Sequence, residues 1–345
     1  MEKYKLSELI VIKNGRDHKD LPNGDYPVFG SGGIMRYVNS YLYDKPSVLL
    51  PRKGSLSNIQ YSDTPFWTVD TLYYTEINEE LVSPYYLYRY LRLLDMSRLD
   101  SGTGVPSMTF DRYYNINVFL PNIEEQRRVA SILQKIDAKI ALNRQINDNL
   151  EAQLRLITSR YIFSCPNLEK KRIGEIATVK AGGDCPITFS KTRTQKCNIP
   201  IFSNGTVDRG LYGFTNKANI EGHSITVAAR GTIGYCERRL MPFVPIIRLL
   251  AITPKEDGAY IYLHQVIRGM KFNKNGSVQQ QLTVPEISFI EIPYPRSGIL
   301  HEYNKVASPI VEMIERNISE NEILTKQRDE LLPLLMNGQA SVNSD

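Results

Sequence analysis

Residues 124–160 read EEQRRVASILQKIDAKIALNRQINDNLEAQLRLITSR and contain neither glycine nor proline. Apolar residues recur along this stretch in alternating steps of four and three, which is the spacing of a coiled-coil seam. A helix of this length reaches about 55 Å, whereas a domain of about 120 residues has a radius near 14 Å. The stretch therefore predicts a long helix that needs a second helix as its packing partner.

A second stretch of the same kind runs from about residue 302 to residue 336. It repeats the apolar spacing and, like the first stretch, carries polar residues in the middle of the seam. Polar seam residues fix the register of paired helices at some loss of stability. The residues expected to form the seam are Leu133, Ile136, Ile140, Asn143, Leu150 and Leu154 in the first stretch and Ile310, Met313, Asn317, Leu324 and Leu331 in the second.

Short words recur in the same order in the two halves of the chain. Each word is weak alone, but collinear matches displaced by about half the chain length indicate an internal duplication. The matching pairs are KLSEL (5–9) with RIGEI (172–176), YPVFG (26–30) with IPIFS (199–203), SVLL (47–50) with SITV (224–227), NVFLP (117–121) with EIPYP (291–295), and VAS (129–131) with VAS (306–308).

Each half begins with short β-rich runs separated by Gly, Asn, Asp and Pro turns and ends in one of the long helices. The first helix must leave its domain before the second domain begins, so the helices are expected to pair antiparallel. The predicted fold is α+β: two similar strand-rich mixed α/β domains separated by a long antiparallel two-helix coiled coil, in a pseudo-twofold internal repeat. The predicted boundaries are a first domain at 1–122, a first helix at 123–164, a second domain at 165–298, and a second helix with a C-terminal tail at 299–345.

Composition fits an intracellular globular protein. Of the 345 residues, 42% are apolar and 23% are charged, which is enough to bury two cores. Lys and Arg number 42 against 37 Asp and Glu, a net charge of +5 that permits an anionic partner without demanding one. The four cysteines form no C-x-x-C pair and are expected to be free thiols. No apolar run reaches the roughly 18 residues of a membrane helix, so a cytoplasmic location without membrane contact is expected.

The sequence lacks the usual catalytic motifs. The histidines lie too far apart to form a metal pair, and the phosphate-binding and nucleophile-elbow motifs are absent. The run GSGG at residues 30–33 leads into strand-like IMRY rather than into a helix. A base methyltransferase would need an adenosyl-methionine loop and an Asn/Asp-Pro-Pro-aromatic tetrad, and neither is present. We therefore expect no catalytic residue, no metal site and no cofactor in this chain.

Turns in both halves combine cations with Ser, Thr, Asn and Gln, which can bond to phosphates and base edges. These residues also form ordinary turns, so a structural role for any one loop is the alternative. Lys53 and Arg230 occupy the same place in the repeat and are ranked first among the candidates for DNA binding. The candidates are Ser31, Arg36, Arg52, Lys53, Ser55, Asn58, Thr103 and Ser107 in the first half, and Asn204, Arg209, Arg230, Thr232, Tyr235, Arg238, Lys274, Asn275, Gln279 and Gln280 in the second.

The layout resembles the DNA specificity subunit of type I restriction-modification systems. The resemblance rests on the doubled arrangement of domain and helix, on the entry IEEQRRVA at residues 123–130, and on the Lys/Arg-Gly-Ser/Thr turn. In the second half the helix entry, GILHEY at 298–303, departs from the Glu-Gln pattern. The resemblance implies a non-catalytic protein with two target recognition domains, each reading one half of a bipartite DNA site, and a helical pair that sets the gap.

The resemblance also implies partners that carry the chemistry. Two methyltransferase subunits would dock on the helices and adjacent domains and methylate adenine with S-adenosyl-methionine, and restriction subunits would cleave DNA with ATP and Mg²⁺. Two other classes of function are open. An adaptor whose domains bind proteins and whose helices dimerise would show no salt-dependent affinity for DNA, and a single-chain enzyme would modify or cut DNA without partners.

Overall fold

The computed structural model describes residues 1–96, 107–165, 168–272 and 281–336. The chain divides into two compact units: unit 1 comprises Met1–Asn143 and Ser319–Asp345, and unit 2 comprises Arg144–Ile318. Each unit contains one strand-rich domain and a part of both long helices. The predicted DNA-binding candidates Thr103, Lys274, Asn275, Gln279 and Gln280 lie outside the described residues.

The domain of unit 1 has nine strands and three short helices among its described residues, and a long helix follows it. Its elements are β1 (Glu2–Lys5), α1 (Leu6–Leu9), β2 (Ile10–Lys13), β3 (Tyr26–Gly30), β4 (Gly33–Val38), β5 (Ser47–Pro51), β6 (Gln60–Ser62), β7 (Trp67–Thr68), β8 (Leu72–Ile77), α2 (Pro84–Leu93), α3 (Phe110–Tyr114), β9 (Asn117–Leu120) and the long helix α4 (Ile123–Thr158).

The domain of unit 2 repeats this order. A π-helical turn, Ser159–Phe163, follows α4 and leads into it. The elements are β10 (Glu169–Arg172), α5 (Ile173–Ile176), β11 (Ala177–Ala181), β12 (Ile199–Phe202), β13 (Leu211–Thr215), β14 (Ser224–Val227), β15 (Cys236–Arg239), β16 (Val244–Pro245), β17 (Leu250–Pro254), α6 (Ala259–Arg268), α7 (Val284–Phe289), β18 (Glu291–Tyr294) and the long helix α8 (Ser297–Met336).

The sheets of the two units have the same topology. In unit 1, β1 pairs with β9, the order β2-β8-β5-β6 forms an antiparallel sheet, and β4-β3-β7 forms a smaller sheet in which β3 and β7 are parallel. In unit 2 the corresponding sheets are β10-β18, β11-β17-β14-β15 and β13-β12-β16, again with one parallel pair, β12 and β16. The predicted duplication and the predicted mixed domains are confirmed.

The first turn of each domain shows how the repeated words produce the repeated structure. The Lys5 N–H donates to Glu8 Oε2 at 2.7 Å, and the Arg172 N–H donates to Glu175 Oε2 at the same distance. Such a bond satisfies a backbone donor at the start of the helix. The apolar residues of these one-turn helices are buried in the domain cores, Leu6 and Leu9 in unit 1 and Ile173 and Ile176 in unit 2.

The long helices pair antiparallel within each unit, as predicted. In unit 1, Arg328 of α8 donates to Asp137 of α4 at 2.8 Å, and Asn143 of α4 lies against Asn321 of α8. The residue number therefore falls along α8 as it rises along α4. In unit 2 the hydroxyls of Thr158 and Tyr303 lie 2.9 Å apart, which follows the same direction.

Buried asparagines occupy equivalent seam positions in both units. In unit 1, Asn143 Nδ2 donates to Asn321 Oδ1 at 2.9 Å, and Asn321 Nδ2 donates to the Ile140 carbonyl at 3.4 Å. In unit 2, Asn317 Nδ2 donates to Asn147 Oδ1 at 2.8 Å, and Asn147 Nδ2 donates to the Ile314 carbonyl at 3.2 Å. The duplication thus reproduces individual side-chain hydrogen bonds, with each bond made between residues from different helices.

The residues of the predicted seam are buried or half-buried along α4, whereas two of those along α8 are exposed. Leu133, Ile140, Asn143 and Leu154 are buried, Ile136 and Leu150 are half-buried, and on α8 Asn317 is buried while Ile310 and Leu324 are half-buried. Met313 and Leu331, however, are 40% and 38% exposed. Apolar residues follow one another along α8, so two adjacent faces look alike in sequence, and packing selects the face with Ile314 and Leu332.

Some properties of the described residues bear on the broader expectations. All four cysteines are free thiols, as predicted. No helix in the described ranges is both long and apolar enough to cross a membrane.

Candidate nucleic-acid interface

Three segments of unit 1 that carry predicted DNA-binding residues lie together, and we name them loop cluster 1: residues 30–33, 52–59 and 107–108. Asn58 Nδ2 donates to the Ser31 carbonyl at 2.6 Å. The Met108 N–H donates to the Arg52 carbonyl at 3.0 Å, and Lys53 forms a β-bridge with Ser107. Lys53 and Ser55 are exposed. Loop cluster 1 therefore presents an exposed cation and small polar groups, and hydrogen bonds hold its three segments together.

Three segments of unit 2 form the matching loop cluster 2: residues 203–210, 228–235 and 281–282. Asn204 Oδ1 accepts from the Ala229 N–H at 2.8 Å, and the Asn204 carbonyl accepts from the Thr232 hydroxyl at 3.2 Å. The Leu282 N–H donates to the Ala229 carbonyl at 3.0 Å, as the Met108 N–H does to Arg52. Arg230 is exposed, and its Nε donates to Gln281 Oε1 at 3.0 Å.

The Lys/Arg-Gly-Ser/Thr turn has the same backbone in both clusters. Gly54 and Gly231 have φ values of 89° and 68°, in the left-handed region that favours glycine. Four residues after each glycine, the N–H of Asn58 bonds to the Ser55 carbonyl at 3.0 Å, and the N–H of Tyr235 bonds to the Thr232 carbonyl at 2.9 Å. The glycine lets the chain turn so that the preceding cation, Lys53 or Arg230, stays at the surface.

Two candidates of unit 1 have other surroundings. The Arg36 guanidinium donates to the Leu21 carbonyl at 2.7 Å and to Asn23 Oδ1 at 3.0 Å, which holds it against a loop outside loop cluster 1. Arg52 contributes its backbone to the cluster, but its side chain donates to the Asp70 carbonyl at 3.3 Å and lies over the Tyr73 ring.

Three candidates of unit 2 bond to other side chains of the same unit, and one of them, Arg238, is buried. Arg238 is 4% exposed and bonds to Glu151, and its Nη1 lies 2.9 Å from His264 Nδ1. The Tyr235 hydroxyl donates to Glu237 Oε1 at 2.6 Å. The Arg209 guanidinium pairs with the carboxylates of Glu237 and Glu315. Glu151 and Glu315, the partners of Arg238 and Arg209 on the long helices, lie far away in sequence, so the local pattern gave no sign of these two contacts.

The charged side chains around Arg209 form ion pairs that shift each other's pKa. Burial alone would lower the pKa of Arg209, but the carboxylates of Glu237 and Glu315 outweigh it and raise the pKa. Burial opposes ionisation of Glu237, yet Arg209 and the Tyr235 hydrogen bond hold the pKa of Glu237 below its ordinary value. Both groups are therefore charged at neutral pH. A carboxylate already bonded to arginine also makes that arginine a poor phosphate ligand.

A cleft of about 430 Å³ in unit 2 lies beside these ion pairs. Its lining includes Glu151, Glu237, Arg238 and Arg268, and Glu151 bonds to both Arg238 and Arg268. These charges neutralise each other within the protein. Among the described residues, no group of three or more His, Cys, Asp or Glu side chains could hold a metal ion.

Sequence reasoning missed two glutamines of the clusters. Gln60 Nε2 donates to the Gly30 carbonyl at 2.8 Å and so supports the turn of loop cluster 1. Gln281 accepts from Arg230 in loop cluster 2. Extending the repeat would have found Gln281, because it directly precedes Leu282 as the candidate Ser107 precedes Met108. Gln60 lies within a strand, where no turn pattern marks it.

A family model described as type I restriction modification DNA specificity domain matches the chain twice, at residues 1–152 and at residues 167–332. The chain belongs to this family. The two matches correspond to the two copies of the domain and its helix, so the chain is a type I specificity subunit with a duplicated domain.

Individual relatives agree with the family. A protein of Mycoplasma pneumoniae named as a type I specificity subunit is 26% identical over 324 residues, which cover 88% of this chain and 97% of the relative. The MjaIX specificity subunit of Methanocaldococcus jannaschii is 21% identical over 371 residues, covering 94% of this chain and 86% of the relative.

A solved structure confirms the fold. The S subunit of a type I restriction-modification system from M. genitalium superimposes with a TM-score of 0.67 at 17% identity, covering 100% of this chain and 96% of that one. The specificity subunit described above therefore has the fold of that S subunit, with the duplicated domains and long helices predicted from its sequence.

Proposed function

We propose that this specificity subunit reads a bipartite DNA site, with loop cluster 1 contacting one half and loop cluster 2 the other. The observation that carries the proposal is the repetition of one arrangement of three segments, in which the same backbone hydrogen bond joins two of the segments and an exposed cation, Lys53 or Arg230, lies at the same place. Arginine and lysine at such positions bond to phosphates or to guanine edges, and the neighbouring hydroxyls and amides add further donors and acceptors.

In this proposal the helices α4 and α8 act as the spacer between the half-sites. DNA half-sites read from one side lie about one helical turn apart, roughly 34 Å. A pair of long helices without internal glycine along α4 can hold two domains at a fixed distance and phase. The seam asparagines support this use because they restrict the register of the pair.

The proposed partners supply the chemistry. Two adenine methyltransferase subunits would dock on the helices and the adjacent domains, since a duplicated chain offers two similar surfaces to two copies of one protein. Each would flip its target adenine out of the duplex and methylate it with S-adenosyl-methionine. Restriction subunits using ATP and Mg²⁺ would cleave DNA. This chain would itself bind none of these cofactors, would have no catalytic residue and would act on cytoplasmic DNA.

The proposal is tested by single-molecule methylation sequencing of genomic DNA from cells with this gene intact or deleted and the neighbouring genes unchanged. Deletion is expected to abolish methylation of one bipartite motif with a modified adenine in each half. Methylation that is unchanged by deletion would contradict the proposal. A gene restored with a frameshift near its start is the matched control, since it keeps the transcript and removes the protein.

A further inference from the structure

Arg209 bridges loop cluster 2 and the long helix α8 within unit 2. Its Nη1 lies 2.9 Å from Glu315 Oε2, and its Nη2 lies 3.1 Å from Glu315 Oε1. On the other side, its Nε donates to Glu237 Oε2 at 2.8 Å. Two parallel bonds to one carboxylate fix the orientation of a planar guanidinium, which a single bond to a lysine ammonium cannot do.

The backbone at this arginine has an unfavourable conformation. Asp208 and Arg209 have φ values of 48° and 56°, in the left-handed region that residues with a side chain rarely adopt. The Arg209 carbonyl accepts from Arg239 Nη2 at 2.6 Å, and Arg239 is buried. Strained backbone persists where tertiary contacts determine it and tends to occur at functional sites. The ion pairs and the Arg239 bond hold this segment, together with a bond from Arg209 Nη2 to the Arg238 carbonyl at 3.1 Å and one from the Ser203 N–H to the Gly210 carbonyl at 2.8 Å.

The same short connection carries a central residue of loop cluster 2. Asn204, at its other end, accepts from the Ala229 N–H and donates from Nδ2 to the Ile247 carbonyl at 2.7 Å. The eight residues 203–210 thus join the base of the recognition loops to a side chain on α8. In unit 1 the matching turn has only residues 30–33, and Gly32 precedes Gly33 there as Arg209 precedes Gly210.

We infer that Arg209 is a positioning residue for DNA specificity: it holds loop cluster 2 at a fixed place on α8 and so sets which bases of the second half-site the loops can reach. The inference rests on the proposed function. Arg209 itself need not touch DNA, since its guanidinium is bonded to Glu237 and Glu315. Its effect is confined to unit 2, because glycine occupies the equivalent position in unit 1.

The test uses the complex of this chain with its methyltransferase subunits. Methylation rates are measured on the cognate duplex and on duplexes altered at one base pair in the first half-site, the gap or the second half-site. For Arg209→Ala, discrimination against altered second half-sites should fall about tenfold, the range of one lost base-pair preference. Discrimination in the first half-site should be unchanged. Glu315→Gln, which leaves the bond to Glu237, should give a smaller change in the same half-site.

Arg316→Ala is the matched control, because Arg316 is exposed and adjacent to Glu315 on α8. It should leave the discrimination at both half-sites unchanged. An equal fall in discrimination at both half-sites for Arg209→Ala would overturn the inference, as would unchanged discrimination in both variants with an unchanged unfolding midpoint. If the wild-type complex methylates no bipartite site, the proposed function fails as well, which separates the two claims.

Discussion

Units 1 and 2 build the same sheets in the same order, but they attach the domain to the long helices through different ion pairs. In unit 1, Asp137 of α4 bonds to Arg89 of α2 and, at 2.8 Å, to Arg328 of α8. In unit 2, Glu151 of α4 bonds to Arg238 of β15 and, at 2.7 Å, to Arg268 of α6. Both solutions place one carboxylate of α4 between two arginines, yet only one of the four arginines comes from a long helix.

This difference shows which parts of a duplicated fold are free to change. The apolar faces determine strand order and helix packing, so they are kept in both copies. A charge buried at the base of a domain needs a partner, but several positions can supply it. The sixth residue of α2 is Arg89, and the sixth residue of α6 is His264. The role of that arginine in unit 1 is taken in unit 2 by Arg238, which contacts His264.

The largest expected effect concerns the ion pair of unit 1. Asp137→Asn would leave Arg89, which is 4% exposed, without its carboxylate. Loss of one partner of a buried pair destabilises a protein by about 3 kcal/mol or more. We expect a lower denaturation midpoint and faster hydrogen exchange in α2. Asp329→Asn, a change at an exposed carboxylate bonded to Arg328, should cost less than about 1 kcal/mol. Equal effects of the two variants would contradict this assignment.

The second effect concerns the exposed cation at the repeated turn. Arg230→Ala should cost about 1–3 kcal/mol of binding and change the preference at one position of the second half-site if Arg230 reads a base. Lys53→Ala should act on the first half-site alone. Binding of a panel of duplexes at several salt concentrations measures both. Uniform weakening across all sequences with a shallower salt dependence would instead make the residue a phosphate contact.

The third effect concerns the asparagine hydrogen bonds between α4 and α8, which occur in both units. Asn143→Ala and Asn317→Ala each remove the donor to a half-buried amide oxygen, of Asn321 and of Asn147 respectively. An unsatisfied buried group costs about 1–3 kcal/mol. Asn143 Nδ2 also donates to Glu320 Oε2 at 2.7 Å, so both variants should lower the unfolding free energy in urea titrations, with the larger loss for Asn143→Ala. A large effect of one variant with no effect of the other would show that the asparagine hydrogen bonds of the two units do not both stabilise the helix pair.

The smallest effect is a pH dependence specific to unit 2. Burial, together with the charge of Arg238, holds the pKa of His264 well below its ordinary value of 6.5. The unfolded chain then binds a proton that the folded chain does not, so stability falls as the pH drops below about 6.5. Between pH 7.5 and 5.5 the loss should approach about 1.4 kcal/mol.

His264→Gln is the variant that tests this pH dependence, since it keeps a polar side chain without titration. The variant should flatten the stability profile over this pH range, as measured by urea unfolding at each pH. Hydrogen exchange should place the change in α6, whereas α2, with Arg89 at the equivalent position, should not respond. A profile that is unchanged by His264→Gln would assign the pH dependence to other groups.

Most of the fold was predictable from the apolar periodicity of the long helices and from the repeated words. The spacing of Leu133, Ile140 and Leu154 predicted a paired helix because a long apolar stripe has to be covered. The words YPVFG and IPIFS contain the equivalent strands β3 and β12, in which consecutive apolar residues, Val28 and Phe29 or Ile201 and Phe202, are buried in both copies. The helix entry also has a physical reason: Gln126 is buried and donates to the Leu81 and Pro121 carbonyls at 3.1 and 2.9 Å.

The candidate site was predictable as a set of loops and not as a set of side chains. The turn at Gly54 and Gly231 was visible because left-handed backbone favours glycine. The pairing of Arg209 and Arg238 with carboxylates was not, because their partners Glu315 and Glu151 lie on helices distant in sequence. A basic residue in a turn has the same local pattern whether it meets DNA or a carboxylate of its own chain.

We propose that the two domains read two half-sites at a distance that the helices set. Lengthening both helices tests this proposal directly. Four residues, about one turn and about 6 Å, are inserted in α4 near Asn143 and in α8 near Asn317, and the methylated motif is sequenced. We expect unchanged half-sites and a gap longer by about two base pairs, at about 3.4 Å each. Insertion in one helix alone is the control and should abolish methylation by misaligning the pair. If the doubly lengthened protein kept both the half-sites and the gap unchanged, α4 and α8 would not set the distance between the half-sites.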